Sequence, residues 1–328
     1  MIQQQKKQVV TMGGGHGSYI LLSGLKKYQS DIDIQSVISI ADDGGSTGRL
    51  REQFGYLPLG DLRMALVALA GDKAEFPLLD LLRYRFSKGD EGLKGHNLGN
   101  LILTALTDML GSEVAAIKQV SKMLHLEGVV LPASLKHTTL TAYYSDGSLV
   151  RGQHFINNQP HNENVCITKL VIDPVVSAYA PVLDAIKEAE LIVLGPGDLY
   201  TSIIPNILIP EIGEALRQSP AKLVYVANLM TRCGQTYGMS VTDHTKTLEE
   251  YVGRPMDVVL INTESIPEEI KTKCEIDYEF PVVDDYQREC IRESMLYKAP
   301  PQDPSDVVHR SLVLHNADTL AESIMKLL

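Results

Sequence analysis

The sequence predicts an α/β fold on a mostly parallel sheet, with a small antiparallel β insertion. Short apolar β-type runs alternate with helix-period segments over about residues 8–125, and again from 180 onward. Three of these runs end directly in glycine-rich loops. In an open α/β sheet that is the carboxyl edge, where ligands bind. A chain of 328 residues, 44% apolar, can bury a sizeable core, and 1–328 reads as a single α/β domain. Aromatic residues make up only 6% and Trp is absent, so the core is expected to be aliphatic.

The first strand, 8–12, runs into Gly13-Gly14-Gly15-His16-Gly17-Ser18, with a helix starting near Gly17. The second, 34–40, ends in Ala41-Asp42-Asp43-Gly44-Gly45-Ser46-Thr47-Gly48. Helix periods follow at 61–70, 76–86 and 98–110, and Ser112 is placed to cap a further helix reaching about His125. The texture then changes. Residues 139–144 alternate, Ser145-Asp146-Gly147-Ser148 reads as a hairpin turn, 149–155 return as a strand, and 165–172 add a third. The span 137–172 is therefore a β-rich insertion. The α/β alternation resumes with helix 180–189, strand 191–194, helix 205–217 and strand 222–227. Helix 245–252, with Asp243 as its cap, and strand 257–261 complete it. The remainder, 265–328, contains Pro300-Pro301-Gln302-Asp303-Pro304 and a last helix from Asp318.

A formal charge of −11 argues against wrapping nucleic acid or an anionic membrane. It leaves local phosphate binding open, because backbone N–H groups and a few Arg suffice. Cys166, Cys233, Cys274 and Cys290 are scattered, without CxxC spacing, as expected of free thiols in a reducing cytosol. Residues 1–8 are polar and lack the apolar stretch of a signal peptide. No apolar run reaches membrane-helix length, so no membrane insertion is expected. The oligomeric state stays open, a homo-oligomer included.

Four glycines within 13–18 exceed what a turn needs and favour an anion on the following helix N-terminus. Gly13 and Gly15 fit the start of a dinucleotide fingerprint, but Ser18 holds the third glycine position. A Walker A loop is excluded, since Asp61-Leu62 follows Gly55–Gly60 where Lys-Ser/Thr is required. Asp42 and Asp43 are turn residues, or else carboxylates for a sugar hydroxyl, a base edge or a divalent cation such as Mg2+. Gly44, Gly45 and Ser46 continue that loop, and Arg49 and Arg51 could meet a phosphate. Asn97 is an N-cap or, with His96 and Asn100, a site residue. Gly195-Pro196-Gly197-Asp198-Leu199-Tyr200-Thr201-Ser202 follows strand 191–194, and Asn228-Leu229-Met230-Thr231 follows strand 222–227. Both stand at carboxyl ends, where Asn and Thr can read a base or sugar. Cys233 beside Arg232 is a weak nucleophile candidate. His125, His137, His154, His161, His309 and His315 lack metal spacing or a nucleophile partner and read as surface or local structure.

Taken together, these stretches resemble the YvcK family of gluconeogenesis factors, relatives of the CofD 2-phospho-L-lactate transferases. The resemblance covers about 8–265. It rests on the loops 13–18, 195–202 and 228–231, on Ala41 through Arg51, on Pro58-Leu59-Gly60-Asp61-Leu62-Arg63 and on His96-Asn97-Leu98-Gly99-Asn100. It implies a Rossmann-like three-layer α/β/α sandwich. It also implies a cytoplasmic protein that binds UDP-sugars, notably UDP-N-acetylglucosamine, and supports cell shape and envelope synthesis during gluconeogenic growth. By the same resemblance Gly13, Gly14, Gly15, His16, Gly17, Ser18, Asp42 and Asp43 belong to the ligand cleft. So do Gly195, Gly197, Asp198, Thr201, Ser202, Asn228, Met230 and Thr231. One block departs. The family's usual Met-Thr-Gln-Pro-Gly-Glu-Thr is replaced after Met230-Thr231 by Arg232-Cys233-Gly234-Gln235-Thr236, which gains a cation and loses an acid. The alternative reading is a CofD-like transferase with a deazaflavin acceptor and an active-site metal. The absence of an obvious nucleophile or general base leans towards binding.

Overall fold

The structure is a computed structural model and describes residues 5–74, 76–88, 92–160, 162, 165–298 and 312–328. His161, His309 and the proline-rich stretch 300–304 lie outside the described residues. The first part of the chain comprises β1 (Lys7–Gly13), α1 (Gly15–Leu25), β2 (Ile32–Ile38), α2 (Gly45–Phe54), α3 (Leu59–Ala68), α4 (Phe76–Arg83), α5 (Leu98–Leu110), α6 (Glu113–Met123) and β3 (Val129–Pro132). Then come β4 (Thr139–Tyr144), β5 (Leu149–Arg151), α7 (Gln153–Asn157) and β6 (Ile167–Asp173). After α8 (Ala180–Glu188) and β7 (Leu191–Leu194), a π turn (Leu199–Ile203) runs into α9 (Ile204–Ile207). The chain continues through α10 (Pro210–Gln218), β8 (Lys222–Val226), α11 (Val241–Val252), β9 (Val258–Asn262), α12 (Glu268–Ile276), β10 (Cys290–Glu293), β11 (Leu296–Lys298), β12 (Val313–His315) and α13 (Ala317–Met325).

Seven strands form one parallel sheet in the order β10-β9-β8-β7-β1-β2-β3. The five strands expected from sequence all belong to it. The short β3 and β10 are additions that the apolar pattern does not flag. Alternate side chains feed two cores, as a strand period of two requires. On one face Val10, Met12, Ile192, Leu194, Leu223 and Tyr225 meet α8, α10 and α11. On the other, Val9, Leu191, Val193, Val224 and Val226 meet α1, α3 and α13. Both faces are covered, which is the three-layer arrangement expected of parallel sheets.

The insertion is a separate antiparallel sheet, β5-β4-β6. Its inner face, with Leu140, Ala142 and Leu170, joins the first of the two cores. Residues 149–155 do not stay a strand. The chain leaves β5 at Gly152, with φ +101°, and turns into α7. Asp243 is not the cap of α11. Ser240 takes that place, accepting from the Asp243 N–H at 3.2 Å, while Asp243 Oδ2 accepts from the Ser240 N–H at 3.0 Å. This is a capping box, whose acid belongs at the third helical position. Among the described residues no helix is long and apolar enough to cross a membrane, and the four cysteines are free.

Candidate functional site

The chain lays down β1, β2 and β3 outward in one direction, then returns to place β7, β8, β9 and β10 on the other side of β1. The order therefore reverses between β1 and β7. In open α/β sheets the crevice at this switch point is the ligand site. The glycine loops after β1 and β7 meet here. A Cβ on Gly17 would stand 2.1 Å from the Pro196 carbonyl oxygen, so only glycine lets α1 start so close to the second loop. Asn228, after β8, ties the third strand end in by donating from Nδ2 to the Gly197 carbonyl at 2.8 Å, while Tyr225 Oη donates to its Oδ1 at 2.7 Å.

Two adjoining compartments open at this edge, of about 340 Å³ and about 700 Å³. Ligand pockets fall in the range of about 300–1,000 Å³. The smaller one is lined by Gly14, Gly17, Gly197, Asp198, Ser202, Asn228, Met230 and Thr231. The larger is lined by Gly44, Gly45, Ser46, Asn97 and Asn100, with Tyr19, Ile20, Met64 and Val67 as apolar wall. Gly15, His16, Asp42 and Asp61 line both. Four strand-end loops separated by more than half the chain thus share one cleft.

The remaining sequence-nominated residues support its walls. Gly13 closes β1, and a Cβ there would meet Ser18 Oγ at 2.8 Å; Ser18 is buried. Gly195, with φ +82°, gives its N–H to the Met12 carbonyl at 2.9 Å. Thr201 is fully buried, and its carbonyl accepts from Gln153 Nε2 at 3.1 Å. Asp43 is engaged away from the cleft. Its two oxygens accept the N–H groups of Gln153 (3.1 Å) and His154 (2.7 Å), holding the first turn of α7. Asp61 lines both compartments together with Asp42, whereas Asp43 lines neither, although its charge still acts on Asp42.

Asp61 sits in the first turn of α3. Its carboxyl accepts from the Gly15 N–H, and a Cβ on Gly14 would meet its Oδ2 at 2.5 Å. Burial pushes Asp61 up to about 7, and the Asp42 charge adds to this. Burial also raises Asp42, against hydrogen bonds from the Gly44 N–H (3.0 Å) and Thr47. Two half-buried carboxyls lining one cleft, the charge of one raising the other, favour a proton or a cation beside them. The pair fits a divalent cation whose other ligands are water or phosphate oxygen. Among the described residues no cluster of three or more His, Cys, Asp or Glu could hold a metal alone.

Behind the larger compartment a buried polar network braces the loop after β2. Arg63 Nε donates to Asn100 Oδ1 at 2.8 Å, and Asn100 Nδ2 donates to Ser46 Oγ at 3.3 Å. Ser46 Oγ lies 3.0 Å from His96 Nδ1. Burial, then the nearby Arg49 and Arg85 charges, lowers the His96 pKa. Asn97 is the N-cap of α5, accepting the Asn100 N–H at 3.2 Å, and also lines the cleft.

Sequence reasoning missed several lining residues. Asp61 was legible only as a helix start, although it follows Gly60, whose absent side chain admits Asp42 and Thr47. Gln153 and Asn157 come from α7, which replaces the end of the strand expected over 149–155 and the start of the loop after it. Arg232, the departure from the family pattern, lines the smaller compartment and pairs with Glu279 and, at 3.9 Å, with Asp198. Those two charges raise its pKa further. His315 is buried rather than superficial and lines both compartments. Its signal was a short apolar run leading into a capped helix, the same strand-to-helix signature as the glycine loops.

The family model described as 2-phospho-L-lactate transferase CofD matches residues 9–299. The gluconeogenesis factor of Bacillus subtilis is 43% identical over 85% of this chain and 86% of its own length. That of Listeria innocua is 37% identical over the whole of this chain and 98% of its own. A crystal structure of a UPF0052-family protein from Bacillus halodurans superposes with a TM-score of 0.88 at 35% identity, covering 98% of this chain and 99% of that one. The sequence blocks, the seven-stranded switch-point sheet and these similarities agree: the chain belongs to the CofD family, and within it to the gluconeogenesis factors of the YvcK type.

Proposed function

We propose that the protein is a cytoplasmic nucleotide-sugar-binding factor that takes UDP-N-acetylglucosamine or a close analogue in the switch-point cleft. Through that ligand it serves cell shape and envelope synthesis during gluconeogenic growth. The observation that carries the reading is the convergence of four strand-end loops on one bipartite cleft. Glycine loops and helix N-termini suit a diphosphate. The carboxylates of Asp42 and Asp61 suit sugar hydroxyls, or a cation bridging to phosphate. The Gly15 N–H is already taken by Asp61, so the diphosphate would use the remaining groups of the facing loops. The name shared by the relatives, gluconeogenesis factor, supports the physiological part of the reading.

Calorimetric titration of the purified protein with UDP-N-acetylglucosamine, UDP and GDP, with and without Mg2+, tests it. Saturable binding of the uridine nucleotides, tightest for the sugar conjugate and without turnover, is the expected result. No binding of any uridine nucleotide refutes it. Transfer to a deazaflavin acceptor from activated phospholactate would make the protein a transferase instead.

A further inference from the structure

The waist between the two compartments carries one group that the reading above leaves unused. His315 ends β12, outside the main sheet, and lines both compartments. It is only 6% exposed. The ring bonds the Ala227 backbone, and Nε2 is buried without a hydrogen-bond partner among the described residues. Buried polar atoms are nearly always paired, so an orphan at the wall of a cleft asks for a partner. Burial pulls the ring down to about 4, so it is neutral near pH 7. A neutral imidazole has one N–H and one lone pair. The N–H faces the Ala227 carbonyl, which leaves Nε2 as an acceptor.

The surroundings restrict what can approach. Asp42, Asp61, Gly15, His16, Ile20 and Leu314 also line both compartments, and no Lys or Arg does so among the described residues. The waist therefore presents carboxyl and imidazole acceptors and no fixed positive charge. With no cation on the Asp pair, that chemistry disfavours a bare phosphate and suits a neutral group rich in donors.

We propose that His315 is a sugar-reading residue, its Nε2 accepting a hydrogen bond from a hydroxyl or amide N–H of the glycosyl group, which lies in the waist with the diphosphate held away from it. This rests on the nucleotide-sugar reading of the cleft and assigns the end of the ligand that the C-terminal strand contacts.

The test compares UDP-N-acetylglucosamine with UDP by calorimetry in His315→Phe, His315→Gln and His315→Asn, with melting temperature as the check of folding. Phe keeps the ring volume without the acceptor. Gln places an amide oxygen near the Nε2 position, whereas Asn reaches only the Nδ1 position. The expected result is a loss of about tenfold in affinity for the sugar conjugate in His315→Phe, with affinity for UDP unchanged. His315→Gln should recover most of the loss and His315→Asn should not. A folded His315→Phe protein with unchanged affinity for both ligands overturns the assignment and leaves the cleft reading intact. Should the Phe variant fail to fold, equal affinities in the Gln and Asn variants overturn it. A wild-type protein that binds neither UDP nor UDP-N-acetylglucosamine overturns the cleft reading and this assignment together.

Discussion

Asp61 combines burial, the adjacent Asp42 charge and the Gly15 N–H, and its pKa of about 7 makes the cleft sensitive to pH. The unfolded chain ionises this group near 3.8, whereas the native state keeps its proton until about 7. Between those values the native state binds more protons, so stability falls as pH rises and is flat above. Asp61→Asn removes that slope. Its melting temperature should match the wild type near pH 4 and exceed it from about pH 7 upward. Thermal melts across this range check the point, and parallel curves for the two proteins would contradict it. The same pair predicts a cation effect: Mg2+ should stabilise the wild type near pH 8 more than near pH 5, and should not stabilise Asp61→Asn. At Gly17 the constraint is steric. Gly17→Ala drives a methyl into the Pro196 carbonyl, 2.1 Å from the Cβ position. Separating the two loops should cost about 1–3 kcal/mol of stability, read by denaturant unfolding, and should abolish nucleotide binding. An Ala variant that binds normally would mean the loops are not locked together.

At the scale of elements, α7 shows how a loop residue builds the site without touching it. Asp43 holds the first two N–H groups of α7, and α7 carries Gln153 and Asn157 to the smaller compartment. Asp43→Ala should cost about 1 kcal/mol of stability and weaken ligand binding through the displaced turn. Ser240→Ala should cost a similar amount through its capping box on α11 and leave binding unchanged. Denaturant unfolding paired with calorimetry separates the two. These elements also show what was legible. The glycine loops and Asn97 could be placed from sequence because turn and cap chemistry is local. The role of Asp43 could not, because its partners lie 110 and 111 residues away and only the insertion brings them together. The end of β5 was misread for a related reason. Residues 149–155 keep a strand-like pattern, but Gly152 at φ +101° breaks it and starts a helix.

At the scale of the whole molecule, alternation of apolar runs and helix periods fixed the architecture, since a parallel sheet covered on both faces needs continuous buried strands. The strand order was not written in any local pattern. The reversal between β1 and β7, which creates the crevice, follows from how 328 residues pack around two cores. The C-terminal contribution was equally hidden. Glu279, Leu314 and His315 reach the cleft from segments outside the blocks that carry the family resemblance. The central claim is that one nucleotide sugar occupies this bipartite cleft. A crystal structure of the protein soaked or co-crystallised with UDP-N-acetylglucosamine tests it most directly. The account predicts ligand density bounded by the loops after β1, β2, β7 and β8, with the sugar at the waist between Asp42, Asp61 and His315. Density at another surface, with those four loops bare, would contradict it.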